Sequence, residues 1–316
     1  MDLLSLEIFR TVVREGGITR AAEQLHRVQS NVTTRIRQLE QSLGVSLFSR
    51  NHKRLVLTPA GETLLDYAER LLNLAIEARE AVQPAVPQGR LRIGSMESTA
   101  ASRLPLPLAR FHQQWPAVQL ELSTGPTQQL IDRVRAFTLD AALVAGPLED
   151  PLLTILPLYA EELVLLAPRN HPPINSPDDL QTHTLIAFEN GCAYRRHAEN
   201  WLASGSIPGR RPDRILELGS YHAMLACVAA GAGVALAPRS VLELHNCSES
   251  LAIHPIGPAG QVPTYLIRRH DYSSPAFDAL SQILQDEAIN RLSYIEPTAS
   301  PSDNKDVEAA GQSDAD

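Results

Sequence analysis

TRAAEQLHRVQSNVTTRIRQLEQSL, residues Thr19 to Leu43, reads as two short helices joined by a tight turn. In the second helix Val32, Ile36, Leu39 and Leu43 fall at i, i+4, i+7 and i+11, a single apolar stripe. At roughly 100° per residue, the side facing away from that stripe carries Ser30, Thr34, Arg37, Gln38 and Gln41, with Thr33 on its flank. That side holds no acidic residue, since Glu40 falls beside the stripe. Hydroxyls, amides and a guanidinium suit hydrogen bonding to phosphate oxygens and to base edges in a major groove. A solvated face of an ordinary helix would have the same composition, so the flanking sequence must decide.

Charge is the first flanking signal. The formal net charge of −8 is the wrong sign for a partner of nucleic acid, but it is unevenly spread. Through Thr58, nine basic residues (Arg10, Arg14, Arg20, Arg27, Arg35, Arg37, Arg50, Lys53, Arg54) stand against five acidic ones (Asp2, Glu7, Glu15, Glu23, Glu40). The first domain is therefore net +4 and the remainder net −12. A local basic surface attracts phosphate, and the distant acidic part keeps non-specific binding weak.

Around the opening stretch, a first helix is expected from Asp2 to Arg14, burying Leu3, Leu6, Phe9 and Val13 and ended by Gly16-Gly17. Thr19 offers an N-cap for the next helix, through Leu25, in which Ala21 and Ala22 permit close packing. His26-Arg27-Val28 makes the turn, and Gly44 stops the third helix. Val45 to Thr58, VSLFSRNHKRLVLT, is two short extended runs around a basic turn holding Arg50, His52, Lys53 and Arg54. A plain hairpin with solvated charges would read the same way. Directly after a helix pair it reads as a wing, its tip placed against the sugar-phosphate backbone or minor groove.

Thr58-Pro59 opens a long helix with Thr as N-cap and Pro at its first position. Leu64, Ala68, Leu71, Ala75, Ala78 and Val82 alternate spacings of four and three, an a/d seam that Leu65 and Leu72 widen. The helix precedes the linker Pro84 to Gly89, so its seam is expected to pair with another chain. Two heads joined this way read a pseudo-palindromic site with half-sites about 34–36 Å apart, or a multiple of that.

These motifs, AAEQL, QSNVTTRIRQLEQSLGVSLFSR and LTPAGETLL in that order, resemble the DNA-binding domain of LysR-type transcriptional regulators across residues 1 to about 90. The resemblance implies a homodimeric or homotetrameric regulator that binds double-stranded promoter DNA and carries a C-terminal effector domain. Asn31 stands where the family often has Ala. The DNA-contact residues expected are Gln29, Ser30, Asn31, Thr33, Thr34 and Arg37 on the helix, and Arg50, Lys53 and Arg54 on the wing. RNA polymerase is a further possible partner of such a regulator.

From Gly89 strands and helices alternate: LRIGS (91–95), ESTAASRLPLPLARFHQQW as one helix, VQLELST (118–124), TQQLIDRVRAF, and DAALVAG (140–146). LVLLAP (163–168), THTLIAF (182–188) and GVALAP (233–238) continue in a second lobe. TYLIRRH (264–270) returns the chain to the first lobe, followed by a helix from Pro275 to Ile289. The alternation argues for a doubly wound parallel sheet, and the whole resembles the two-lobed periplasmic-binding-protein-like effector domain of the same family. The fold expected is α/β overall: a winged helix-turn-helix at 1–58, a dimerising linker helix and hinge at 59–88, and an effector domain at 89–296. Its lobe I covers about 89–162 and 268–296, its lobe II about 163–267, and 297–316 is an acidic tail expected to be disordered.

In open α/β sheets ligands bind beyond the carboxyl ends of strands and against helix N-termini. The expected effector residues are Ser98, Thr99, Thr124, Gly125, Ala145 and Gly146 on the first lobe, and Cys192, Tyr194, Arg195 and Ser220 on the second. Each hydroxyl would serve equally as a plain N-cap; the convergence of several loops is what raises the cleft above that reading. Arg195, in a predicted loop, would pair bidentately with a carboxylate, which favours an organic acid or amino acid, while Glu97 argues against a strongly anionic ligand. Cys192 stands near Arg195 and Arg196, positive charge that would lower a thiol pKa, with no matching partner evident; a pocket-lining role is the preferred reading.

The three cysteines, Cys192, Cys227 and Cys247, are widely separated and odd in number, with neither disulfide nor metal spacing. No run of about 18 apolar residues suggests a membrane span. The first helix carries Asp2, Glu7 and Glu15 where an export signal would be basic and then apolar, so a cytoplasmic protein is expected. That also counts against an exported solute-binding protein, which the C-terminal half alone would fit. No GxSxG, metal triad, phosphate loop or paired-carboxylate arrangement stands out, so no catalytic, metal or cofactor site is expected.

Overall fold

The computed structural model describes residues 1–51, 54–82, 86–181, 184–206, 212–245 and 250–295. The head is α1 (Leu3–Arg14), α2 (Ile18–Gln24) and α3 (Gln29–Leu43), a hairpin of β1 (Phe48–Asn51) and β2 (Arg54–Leu57), and α4 (Pro59–Ala81). Its core gathers Leu6, Ile8, Phe9 and Val12 of α1, Ala21 and Ala22 of α2, the α3 stripe of Val32, Ile36 and Leu39, and Ala68 and Leu72 of α4. Leu3 is 48% exposed, contrary to expectation; Ile8 and Val12 take the inward positions. Thr19 does not cap α2, which begins at Ile18 behind Gly17. Asp2 caps α1 instead, accepting a hydrogen bond from the Ser5 backbone N–H at 2.7 Å. Gly44 ends α3 in the left-handed conformation at φ 70°.

The wing is tied to α3 by Glu40, whose Oε1 accepts hydrogen bonds from the backbone N–H of Leu47 at 2.8 Å and of Phe48 at 3.3 Å. The Thr58 hydroxyl accepts from the Gly61 N–H at 3.0 Å, the expected N-cap of α4, and donates to the Ser46 carbonyl at 2.7 Å. Gly61 lies where an added Cβ would collide with the Leu47 carbonyl oxygen.

Among the described residues, the rest of the chain forms one nine-stranded mixed sheet with helices on its faces. In lobe I, β3 (Gly89–Ser95) pairs in parallel with β4 (Val118–Thr124) and β5 (Ala141–Ala145). In lobe II, β7 (Thr184–Ala187) pairs in parallel with β8 (Arg214–Glu217) and β9 (Val234–Pro238). Two long strands join them: β6 (Leu153–Pro168) and β11 (Gln261–Arg269), antiparallel to each other. The first part of β6 pairs with β11, and its last part with β9 and with β10 (Leu251–Pro255). The sheet is therefore parallel within each lobe and antiparallel where the chain crosses. Sequence periodicity captured only the end of β6, because Pro157, Glu161 and Glu162 break the apolar pattern. Pro157 is accommodated at a register shift opposite Thr264 and Tyr265.

The helices of lobe I are α5 (Glu97–Ser102), α6 (Pro105–Gln114), α7 (Thr127–Arg135) and α11 (Pro275–Ile295). The expected single helix over residues 97–115 is thus broken, at Arg103 and Leu104, because Pro105 cannot supply an N–H to the preceding turn. Lobe II carries α8 (Ala193–Leu202), α9 (Tyr221–Ala229) and α10 (Arg239–His245). Across the junction the Glu161 carboxylate, 3% exposed, accepts from Arg103 Nε of lobe I at 2.6 Å and from the Ser240 hydroxyl of lobe II at 2.9 Å. The expectation for the tail at 297–316 lies outside the described residues. Among the described residues no helix is long and apolar enough to cross a membrane.

The seam on α4 divides differently from its spacing alone. Leu64 and Ala68 turn into the head core with Leu72. The free apolar row is Tyr67, Leu71, Leu74 and Ala78. A third side faces lobe I, where Asn73 Nδ2 donates to the Phe137 carbonyl at 2.7 Å and Glu77 pairs with Arg269 at 2.5 Å.

Two substitutions test the head. Glu40→Ala strands two backbone N–H groups and should lower the head's unfolding free energy in urea by about 1–3 kcal/mol, whereas Glu40→Gln keeps an acceptor and should lose less. Gly61→Ala should destabilise through the Leu47 collision. An Ala variant at Glu40 that melts with the parent chain would contradict the role assigned to that carboxylate.

Candidate DNA interface and ligand cleft

On the outer face of α3, Gln29, Ser30, Asn31, Thr34, Arg37, Gln38 and Gln41 are exposed. Thr33 is half-buried and its hydroxyl donates to the Gln29 carbonyl at 2.9 Å, so that proton is committed to the helix. Ser30, Asn31, Thr34 and Gln38 line one shallow hollow together with Val28 and Arg35. Arg35 was missed in sequence because it flanks the chosen face, yet its half-buried stem brings a cation to the hollow's rim. The wing begins at Phe48 and pairs Arg50 with Leu55 and Asn51 with Arg54. The expectation for Lys53 lies outside the described residues, as do the side chains of Arg50 and Arg54.

The second site is a cavity of about 190 Å³ at the carboxyl ends of β3, β4, β7 and β8. Lobe I contributes Met96, Glu97, Ser98 and the run Thr124 to Thr127; lobe II contributes Phe188, Glu189, Cys192, Tyr194, Gly219 and Tyr221. Of the expected effector residues, Ser98, Thr124, Gly125, Cys192 and Tyr194 meet there. Thr99 is 1% exposed on α5 behind Ser98, and its hydroxyl has no hydrogen-bond partner. Ala145 and Gly146 stand against the crossing strand instead, with the Gly146 N–H donating to the Pro263 carbonyl at 2.8 Å and Tyr265 in close approach. Ser220 precedes α9 between two lining residues without lining the cavity itself. Tyr221 lies in the expected loop after β8, whereas Phe188 was not anticipated; their rings pack with centroids 4.7 Å apart.

Arg195 is placed differently from the expectation of an anion clamp. It belongs to α8, not to a loop, and its Nε donates to Glu199 at 3.0 Å. Its Nη1 donates to Glu217 at 2.8 Å and to the Phe188 carbonyl at 3.0 Å. Those partners occupy the guanidinium on the far side of the 190–193 loop, where it lines a separate hollow with Glu199.

Electrostatics in the cavity follow from burial. Cys192 is pushed up from an ordinary thiol, because burial outweighs the backbone hydrogen bonds and the nearby Arg195 charge. The sequence had suggested the opposite direction from the arginines alone. Burial also raises the Tyr194 and Tyr221 phenols and lifts the Glu97 carboxyl, against a smaller lowering of Glu97 by His222. Glu97 Oε2 is buried with no hydrogen-bond partner, while the Tyr194 phenol interacts with the Ser98 and Thr264 side chains.

Comparison with known proteins agrees with both halves. Residues 3–62 match the model of the bacterial regulatory helix-turn-helix protein, lysR family, and residues 84–289 match the LysR substrate binding domain. The chain is 40% identical over 289 residues to the HTH-type transcriptional regulator GltR of Bacillus subtilis (strain 168), covering 90% of this chain and 97% of that one. It is 38% identical to the regulator YusT of the same organism over 87% of this chain and 92% of that one. Among solved structures it is similar to a full-length OxyR from Pseudomonas aeruginosa, with a TM-score of 0.67 at 25% identity, covering 91% of this chain and 94% of that one. CbnR in complex with its target DNA gives the same TM-score at 24% identity, covering 91% of this chain and all of that one, a likeness of fold. With both domain models matched in order and relatives of this identity along nearly its full length, the chain belongs to the LysR family of transcriptional regulators, a DNA-binding head joined to an effector-binding domain.

Proposed function

We propose that the exposed face of α3 reads promoter DNA in the major groove while the cavity between the lobes binds the small-molecule effector that sets promoter occupancy. The observation that carries the first half is the acid-free exposed row Ser30, Asn31, Thr34, Arg37, Gln38 and Gln41, with Arg35 at its rim. Gln29 lies at the N-terminal end of α3, where helix ends approach phosphate. Arg50, Lys53 and Arg54 on the wing would add phosphate or minor-groove contacts.

The second half is supported by four strand-to-helix connections converging on one cavity, with Ser98, Thr124, Gly125, Cys192 and Tyr194 in its wall. An effector changes occupancy only through different affinities for two arrangements of the protein. The free row of Tyr67, Leu71, Leu74 and Ala78 would pair with α4 of a second copy, joining two heads over half-sites, and pairs of such dimers would give a homotetramer. Such a regulator works in the cytoplasm, with RNA polymerase as a further partner.

Three measurements check this reading. Arg35→Ala and Arg37→Ala should each weaken binding to the upstream region of the chain's own gene and reduce the salt slope of log K by about 1. Thr34→Ala should weaken binding without changing the slope; unaltered slopes in both arginine variants would remove this face from the interface. Replacing Leu71 and Leu74 together by Glu should yield monomers in sedimentation velocity, and a dimer that survives would place the contact elsewhere. Because its folded-state pKa is raised, Cys192 should carry less thiolate at pH 8 than a free cysteine. Mass spectrometry should find it alkylated several-fold more slowly than an unfolded peptide, and faster labelling would reverse the assignment.

A further inference from the structure

We propose that the cavity between the lobes selects a small organic cation, a protonated amine, rather than an anion. The inference rests on reading that cavity as the effector site and concerns its chemistry. Among the described residues lining it there is no Arg, Lys or His; the ionisable carboxylates are Glu97 and Glu189. Arg195, the cation an anionic ligand would require, is held by Glu199, Glu217 and the Phe188 carbonyl. An organic acid would therefore meet repulsion from the two lining carboxylates, offset in part by His222, which acts on Glu97 from outside the lining.

An ammonium group meets complementary chemistry on three sides. Glu97 Oε2 is buried without a hydrogen-bond partner, and an N–H donor with a positive charge supplies both what it lacks. Burial has already raised the Glu97 carboxyl, so a cation beside it recovers free energy that folding costs. The Phe188 and Tyr221 rings, packed with centroids 4.7 Å apart, line the same cavity and would give a cation an aromatic neighbour. The Tyr194 hydroxyl, on a side chain 4% exposed, adds a polar group at the same wall, beside the Ser98 and Thr264 hydroxyls. The N-termini of α5, α7, α8 and α9, all at the cavity wall, pull the other way, since helix starts favour negative charge. Each carries only a fractional charge, whereas Glu97, ionised beside a cation, carries a full one. A carboxylate near Thr127 is thus compatible with the site when an amine is also present, as in an amino acid, but not in its place.

The test uses the full-length chain labelled with ¹³C at its methionine methyls. There are three methionines, of which Met96 lines the cavity and Met224 lies in the lobe II core, so Met96 reports occupancy while Met224 reports folding. Benzylamine, benzoate and benzyl alcohol share a shape and differ in charge. Benzylamine should shift the Met96 signal with a Kd about tenfold or more below that of benzoate, a difference of about 1.4 kcal/mol per factor of ten. Glu97→Gln, with an unchanged Met224 signal, should weaken benzylamine by about tenfold and leave benzyl alcohol unaffected. Benzoate or benzyl alcohol binding as tightly as benzylamine, or benzylamine indifferent to Glu97→Gln, overturns the charge assignment alone. Calorimetric binding that leaves Met96 unmoved, or silence from all three compounds, overturns the cavity as effector site and the cation assignment with it.

Discussion

One helix has to satisfy three surfaces at once. At about 1.5 Å per residue the 23 residues of α4 span roughly 35 Å, far longer than the head needs. Leu64, Ala68 and Leu72 complete the head core, Asn73 and Glu77 face lobe I, and Tyr67, Leu71, Leu74 and Ala78 remain free. The three sets fall on separate sectors because a period of 3.6 carries positions 64, 68 and 72 slowly around the axis while 67, 71, 74 and 78 stay aligned. The direction in which the head points is therefore fixed at both ends of one rigid rod.

That division explains what could be read from the sequence and what could not. The head was legible almost residue by residue, because its signals are local: the α3 stripe, the Gly44 stop, the Thr58 cap on Gly61. On α1 the inward Leu6 and Phe9 were legible and Leu3 was not, since only contact with the rest of the head decides which residue at the helix start turns inward. Likewise an a/d count on α4 cannot tell which partner each apolar residue meets. The crossing strand β6 was hidden for a different reason. Its first half carries Pro157, Glu161 and Glu162, and these are tolerated only through a register shift and through Arg103, Ser240 and Arg239 from elsewhere in the chain. Such pairings are non-local and leave no period to detect.

The ligand cleft shows the same boundary between local and non-local information. Loops at strand ends were located correctly, so Ser98, Thr124, Gly125, Cys192 and Tyr194 meet as topology requires. The charge of the site was not legible, because it depends on whether Arg195 is free. The helical start at Ala193 turns that side chain toward Glu199, four residues on, and toward Glu217 at the end of β8. Charge near a site in sequence is no measure of charge within it. The same reasoning reverses the sign for Cys192, whose neighbouring arginine counts for less than its own burial.

The cleft and the rod are in physical contact through Arg269. This residue, 5% exposed on β11, donates to the Val134 and Leu139 carbonyls at 3.3 Å, stacks on Phe137 at 4.0 Å, and pairs with Glu77 of α4. The helix whose end it holds, α7, begins at Thr127 in the cavity wall. Burial raises the Glu77 carboxyl despite the cation beside it, so desolvation outweighs attraction in this pair. The pair then contributes more to orientation than to stability: with its carbonyl and ring contacts it leaves Arg269 a single position. Lobe I and α4 are consequently joined at this point. One buried cation thus sets the position of α4 relative to the helix that begins in the cavity wall.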